Sequence, residues 1–257
     1  DNKAGKPTSL DALIFAGCKR MTFDRIFFPR DDAPLTDPSS PLGIFTTMVQ
    51  PLVDAVTGSC SADAETASSR DVFNSTLLIY GQTCAGKTRC LEQLVPFVVA
   101  ALVARMGLDA LLFRMTEIYG DTLRDLLCSS SFQPLEGDAT RQQQDQQNQA
   151  PPPQIHLRDA GDGRGLQIIG ATVVTIESEE EALWLFQEAL RRRATAATNM
   201  NASSSRSHAI FTIFCQHPDG RVAKLNLVDL AGSERLKKTG NVGARLRESV
   251  GINSDLL

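Results

Sequence analysis

Residues 79–90, IYGQTCAGKTRC, decide how the rest of the chain is read. The pattern is Gly81-x-x-x-x-Gly86-Lys87-Thr88. An apolar run, STLLIY (75–80), precedes it, and residues at helical spacing follow. A strand entering a glycine-bounded loop that opens a helix is the context a phosphate-binding loop needs. Glycine lets backbone N–H groups turn inward around phosphate oxygens, and the helix directs its positive end to the same point. The loop Gly81, Gln82, Thr83, Cys84, Ala85, Gly86 is therefore read as a phosphate cradle. Lys87 adds a full charge near the β- and γ-phosphates, and the Thr88 hydroxyl is placed to ligate Mg²⁺. By residue frequencies alone, the bare pattern arises by chance in roughly one in a hundred chains of this size. Its place between strand and helix lowers that figure, but leaves the nucleotide and the task open.

Outward from this loop, strands and helices alternate. Leu91, Leu94, Val95, Val98, Val99, Leu102 and Val103 repeat at helical spacing, with Pro96 expected to kink or interrupt the helix. ALLFRMTEIY (110–119) reads as a strand and TLRDLL (122–127) as a short helical turn. QIHLRD and LQIIGATVVTI, on either side of AGDGRG, suggest a hairpin. SEEEALWLFQEALRRR opens on a capping box from Ser178 to Glu181 and carries Leu183, Phe186 and Leu190 on one face. The basic run LRRRA (190–194) is assigned to the end of that helix, where cations suit the dipole. AIFTIFC and RVAKLNLVDL are strands joined by a Pro-Asp-Gly turn. The fold class is α/β, with a mixed sheet.

Residues 129–153, rich in Gln, Ser and Pro, bury too little apolar surface to order themselves and are expected to be a disordered insertion. Smaller polar loops are expected at 29–41 and 58–71. The chain has 257 residues, 42% apolar, and a formal net charge of −4. That balance gives no global basic field for nucleic acid. No apolar run approaches membrane-span length, and the first residues do not read as a signal peptide. Six cysteines without a C-x-x-C pair fit reduced thiols in the cytosol.

Two further stretches bear on the loop. LNLVDLAGSER (225–235) puts Asp229 at the end of an apolar strand, where a carboxylate holds a magnesium-bound water, with the Gly232 N–H close behind. Taken alone, this is an ordinary strand-end turn. NMNASSSRSHAIFTI (199–213) gathers serines, Asn201, Arg206 and His208 before a strand. Taken alone, it is a Ser-rich surface loop.

Together, YGQTCAGKT, NASSSRSH and DLAGSER closely resemble the phosphate loop and two nucleotide switches of the kinesin motor domain. TFDRIFF, TEIYGDTLRDLL and INSDLL are similar to further family segments in the expected order. The resemblance runs from about Phe23 to the last residue. It implies a P-loop NTPase fold of the kinesin/myosin type: a central mixed, mostly parallel sheet with helices on both faces. It implies ATP and Mg²⁺ as cofactors, microtubules as partner, and a place in the cytoplasm on the cytoskeleton. Dimerisation would run through a coiled coil outside these residues. By the family pattern, Lys87 binds phosphate, and Thr88 and Ser205 approach Mg²⁺. Ser204 helps place the attacking water, and Asp229 acts through a metal-bound water. The Gly232 N–H senses the γ-phosphate, Asn201 lines the site, and Arg206 and Glu234 form a salt bridge closing the switches.

Arg235, Lys237, Lys238, Arg245 and Arg247 follow the second switch, where the family meets the acidic tubulin surface. The chain departs from the family in three respects. No R-x-R-P strand embraces the adenine, so the strand before the phosphate loop is expected to lack a sheet neighbour. The loop between Thr88 and Pro96 is short. The chain stops inside the expected relay helix, as a fragment of a longer protein would. Two other readings stay in play. One is a non-catalytic microtubule- or partner-binding module. The other is an unrelated GTPase, for which no N-K-x-D motif is visible.

Overall fold

The computed structural model describes residues 11–13, 21–27, 34, 37–58, 71–128, 155–159, 161, 166–199 and 206–233. The expected insertion at 129–153 and the basic run after Ser233 lie outside the described residues. Strands β1 (Asp11–Leu13) and β2 (Met21–Phe23) form an antiparallel pair. Helix α1 (Pro41–Ile44) passes through one wide turn (Phe45–Val49) into α2 (Gln50–Thr57). There follow β3 (Ser75–Ile79), α3 (Lys87–Met106), β4 (Leu111–Tyr119), β5 (Thr122–Asp125), β6 (His156–Asp159) and β7 (Leu166–Ile169). The last elements are β8 (Val174–Thr175), α4 (Glu179–Asn199), β9 (His208–Gln216) and β10 (Val222–Asp229).

The main sheet runs β3-β10-β9-β4-β5, with β8 also on β4. It is mixed, as read from the sequence, but not mostly parallel among the described residues. Only β3 and β10 run parallel; every other pairing in this sheet is antiparallel. The cause is local. Tight turns join β4 to β5 and β9 to β10, and a tight turn can only reverse the chain. In the second, Gly220 N donates to His217 O at 2.9 Å and His217 N donates to Arg221 O at 2.8 Å. β3 pairs with β10 alone among the described strands.

TLRD is therefore strand and not the expected helical turn. Its register on β4 is fixed from Thr116–Asp125 to Tyr119–Thr122. The Asp125 carboxylate accepts from Leu127 N at 2.8 Å and Thr172 N at 2.6 Å, tying the hairpin to the chain before β8. The hairpin read across AGDGRG is present as β6 against β7.

Pro96 does not interrupt α3, which runs unbroken from Lys87 to Met106. Proline removes one N–H from the ladder. Here it lies on the exposed side while Leu91, Leu94, Val95, Val98, Val99 and Leu102 are buried around it, so packing outweighs the lost bond. An Arg105–Asp54 ion pair pins α3 to α2. The capping box of α4 forms as read: Glu181 N donates to Ser178 Oγ at 3.1 Å, and Glu181 Oε2 accepts from Glu177 N at 2.7 Å.

One face of the sheet carries the core. Leu111, Phe113, Met115, Phe211, Ile213, Leu225 and Leu227 alternate along their strands and meet α2, α3 and α4 in a single cluster. The rings of Phe113 and Phe186 lie 5.6 and 5.2 Å from that of Phe211. The two helices nearest the candidate site are thus fixed on the same layer as the ends of β3 and β10. No helix among the described residues is long and apolar enough to cross a membrane.

Candidate phosphate-binding site

The loop 81–86 leaves the end of β3 and returns into the first turn of α3. Gly86 has φ +83°, a left-handed conformation that a side chain would strain, so glycine is required at the helix entry. Cys84 adopts φ +65° at the tip. Residues 82–86 are exposed, so their backbone groups face solvent and not a packed wall. The Lys87 ammonium lies back over the loop and donates to Gly81 O at 2.8 Å and Gln82 O at 3.0 Å. Those carbonyls hold the charge at the cradle's mouth.

The chain after β10 runs alongside. Leu230 N donates to Ile79 O at 3.2 Å and Ser233 N to Gly81 O at 3.2 Å, which holds the buried Gly232 next to the loop. The decisive contact joins two segments 141 residues apart: Thr88 Oγ1 donates to Asp229 Oδ2 at 2.6 Å. The second oxygen, Asp229 Oδ1, is buried and accepts no hydrogen bond from the described residues. A buried acceptor without a donor is costly. A metal-bound water fits it, since such a water donates. The Thr88 oxygen can ligate a metal through a lone pair while its O–H still donates to Asp229 Oδ2. The donor set therefore fits Mg²⁺ held through Thr88 and a water, beside a phosphate held by Lys87 and the loop.

Of the residues expected at the site, Gly81, Gln82, Thr83, Cys84, Ala85, Gly86, Lys87, Thr88, Asp229 and Gly232 are brought together. Arg206 lies just before β9, on the sequence side of the site. Asn201, Ser204, Ser205 and Glu234 lie outside the described residues, and with them the expected Arg206–Glu234 bridge.

Four residues not assigned to the site from sequence stand in its wall. Arg193 was expected at a helix end, but α4 continues to Asn199, and Arg192 and Arg193 are buried. Arg193 Nη1 donates to Asp229 Oδ2 at 2.6 Å. Its Nε and Nη2 reach Ser207 Oγ at 3.2 Å and Ser207 O at 2.8 Å. Glu117 on β4, 3% exposed, lies 3.6 Å from Arg193 Nε. His208 accepts from Ala231 N through Nδ1 at 3.1 Å, which places its ring proton on Nε2 and anchors the chain before Gly232. Periodicity carried the signal for Arg192 and Arg193. Ala182, Leu185, Phe186 and Ala189 are the buried stripe of α4, and positions 192 and 193 continue it. Burial first, and then the Asp229 carboxylate, push the Cys90 thiol in the first turn of α3 above its ordinary value, so it stays protonated.

The fold and the site define the class: an α/β protein whose glycine-bounded loop, between a strand and a helix, is closed by an aspartate at the end of the neighbouring parallel strand. The chain belongs to the kinesin motor domain family, whose pattern matches residues 19–257. It is 32% identical over 250 residues to the kinesin-like protein klp-19 of Caenorhabditis elegans, covering 88% of this chain and 20% of that protein. It is 32% identical over 269 residues to the chromosome-associated kinesin KIF4 of Mus musculus, covering 95% of this chain and 19% of that protein. The chain thus spans about a fifth of the length of these relatives. Among solved structures, the motor and motor homology domain of Kar3Vik1 matches with TM-score 0.63 at 26% identity, over 95% of this chain and 57% of that one. A fast kinesin, described for its ATPase mechanism and interactions with microtubules, matches with TM-score 0.59 at 27% identity, over 91% and 60%.

Proposed function

We propose that this chain is the nucleotide-hydrolysing core of a microtubule motor, which binds Mg-ATP at residues 81–88 and couples its hydrolysis to microtubule engagement. The observation that carries the reading is the 2.6 Å contact between Thr88 and Asp229, because it joins the phosphate loop to the segment that follows β10. In this reading Lys87 leaves the Gly81 and Gln82 carbonyls for phosphate oxygens. Thr88 and Ser205 would hold Mg²⁺, and Asp229 Oδ1 would accept a hydrogen bond from a water beside it. Bound magnesium neutralises phosphate charge and fixes its geometry. Ser204 and Asn201 position the attacking water. The Gly232 N–H, next to the loop that Ser233 contacts, responds to the terminal phosphate. Arg206 and Glu234 latch the two segments over it. A loop held by a terminal phosphate and released on its loss is a two-state element that a distant surface can read. That surface is the basic run from Arg235 to Arg247, facing the acidic microtubule, and the working site is the microtubule cytoskeleton. The fast kinesin's described ATPase and microtubule interactions support the same reading.

The test is ATP turnover by the full-length protein with and without microtubules. Strong stimulation is expected. Nucleotide binding without turnover would replace this reading with a non-catalytic binding module, and a preference for GTP would replace it with a GTPase.

A further inference from the structure

The strand that feeds the loop 81–86 is weakly held by burial. β3 is five residues long and pairs with β10 alone among the described strands. On its core side Leu77 and Ile79 are half-buried, and on the other side Leu78 is 61% exposed. None of its apolar side chains is fully buried, so burial sets its register only loosely. A slip of two residues, about 6.6 Å, would keep every side chain on its own face. The parallel ladder re-forms after such a slip, because each non-proline residue offers the same donor and acceptor. The far end of the loop cannot follow, since α3 is anchored in the core through Leu91, Leu94 and Val95. The loop would have to absorb the whole shift, and its N–H groups would no longer converge.

Side chains on the face opposite the core cluster supply what burial does not. Thr76 lies opposite Asn226 on β10, and Asn226 lies opposite Thr212 on β9. Asn226 Nδ2 donates to Thr76 Oγ1 at 3.2 Å, and Thr212 Oγ1 donates to Asn226 Oδ1 at 3.0 Å. One amide thus bridges three strands. Thr212 is buried, which fixes the inner end of the row. Two residues further down, Lys224 N donates to Asn74 Oδ1 at 2.9 Å. A slip in one direction sets Asn226 against Leu78, which has no acceptor. A slip in the other sets it against Asn74 and takes that oxygen away from Lys224. We propose that Asn226, bonded to Thr76 and Thr212, is a positioning residue for the phosphate site: it locks the register of β3 and with it the entry to the loop 81–86. The inference rests on the nucleotide reading above and extends it to three side chains that touch neither phosphate nor metal.

The experiment measures the affinity of the full-length protein, without microtubules, for a ribose-labelled fluorescent ADP, in excess Mg²⁺ and in excess EDTA. Thr76→Val keeps the shape and removes the acceptor, and should weaken binding about fivefold, the worth of one hydrogen bond. Asn226→Leu breaks both bonds and should weaken it about twentyfold. The loss should be the same with and without Mg²⁺, because the loop and not the metal is displaced. Thr76→Ser, which keeps the hydroxyl, should bind like wild type. A purely structural row would lower Tm and leave every affinity in place, and that result overturns the proposal. So does a loss in Thr76→Ser equal to that in Thr76→Val. If Asn226→Leu does not fold, the exposed Thr76 decides: weaker binding by Thr76→Val alone of its two variants supports the proposal, and unchanged binding overturns it. Wild-type protein that binds no ADP under either condition would overturn the nucleotide reading itself. Normal wild-type binding that none of the substitutions alters removes only the role of Asn226.

Discussion

Arg193→Met tests the buried charges in the wall of the site most directly. The substitution keeps an unbranched apolar stem and deletes the guanidinium, which is 2% exposed and joins Asp229, Glu117 and Ser207. Two buried carboxylates then lose their shared cation, and the Ser207 carbonyl loses its donor. Removing one partner of a buried pair costs about 3–5 kcal/mol. For a chain of this size each kcal/mol lowers Tm by about 2–4 °C, so the expected fall is roughly 6–20 °C. Thermal and urea unfolding should be measured without nucleotide, because a ligand bound only to the folded state adds its own stability. Arg193→Met/Asp229→Asn removes one of the stranded charges and should recover about 1–3 kcal/mol. A loss below about 1 kcal/mol, the size expected of an exposed pair, would refute the reasoning. So would a double variant no more stable than the single one.

Arg206→Ala and Glu234→Ala are each expected to bind ATP and hydrolyse it poorly; near-normal turnover in either would remove the latch from the mechanism. Glu188 gives a pH signature. The Arg191 hydrogen bond, opposed by burial and assisted by Arg192, holds its carboxyl down at about 2. Because the folded value is depressed, the contribution is complete above the ordinary carboxylate range and is lost as pH falls toward about 2. Glu188→Gln should therefore be less stable than wild type at pH 7, by about 1 kcal/mol for a pair whose Arg191 side is exposed. The two unfolding curves should converge on acidification, and a gap unchanged down to pH 2 would contradict the assignment.

Where local chemistry alone decides structure, the sequence was readable. The strand–loop–helix conformation around residues 81–86, the capping box of α4, the buried stripe of α3 and the β9–β10 turn each depend on residues within a few positions of one another. The misread parts depend on partners far along the chain. TLRD carries no strong strand signal, and becomes strand because β4 offers it a hydrogen-bonding edge after Gly120. The arginines at 192 and 193 are assigned to a helix end by their charge although they continue the buried stripe of α4, and the partners that a buried cation requires, Glu117, Asp229, Leu126 O and Ser207, come from distant segments. Glu117 was legible in part: it shares strand parity with Leu111, Phe113 and Met115, so period two already put a charge in the core. A charge there needs a partner. That its partner would be a residue of α4 could not be read from any local pattern.

The geometry also explains why α4 is pinned so firmly between the sheet and the site. Phe186 stacks into the core at its middle, while Arg192 and Arg193 are tied near its C-terminal end to Leu126 O and to the two carboxylates. Asp229 thus has three neighbours with separate origins: Thr88 from the phosphate loop, Arg193 from α4, and the chain that continues past Leu230. Its carboxylate cannot redistribute its hydrogen bonds without acting on all three, because its surroundings are too buried for solvent to screen the change. Through Arg193 the same change reaches Glu117 and, beyond it, Arg124 on the β4–β5 hairpin. These charges are therefore a physical link between the loop 81–86 and the far edge of the sheet, made of groups close enough to compete for one another.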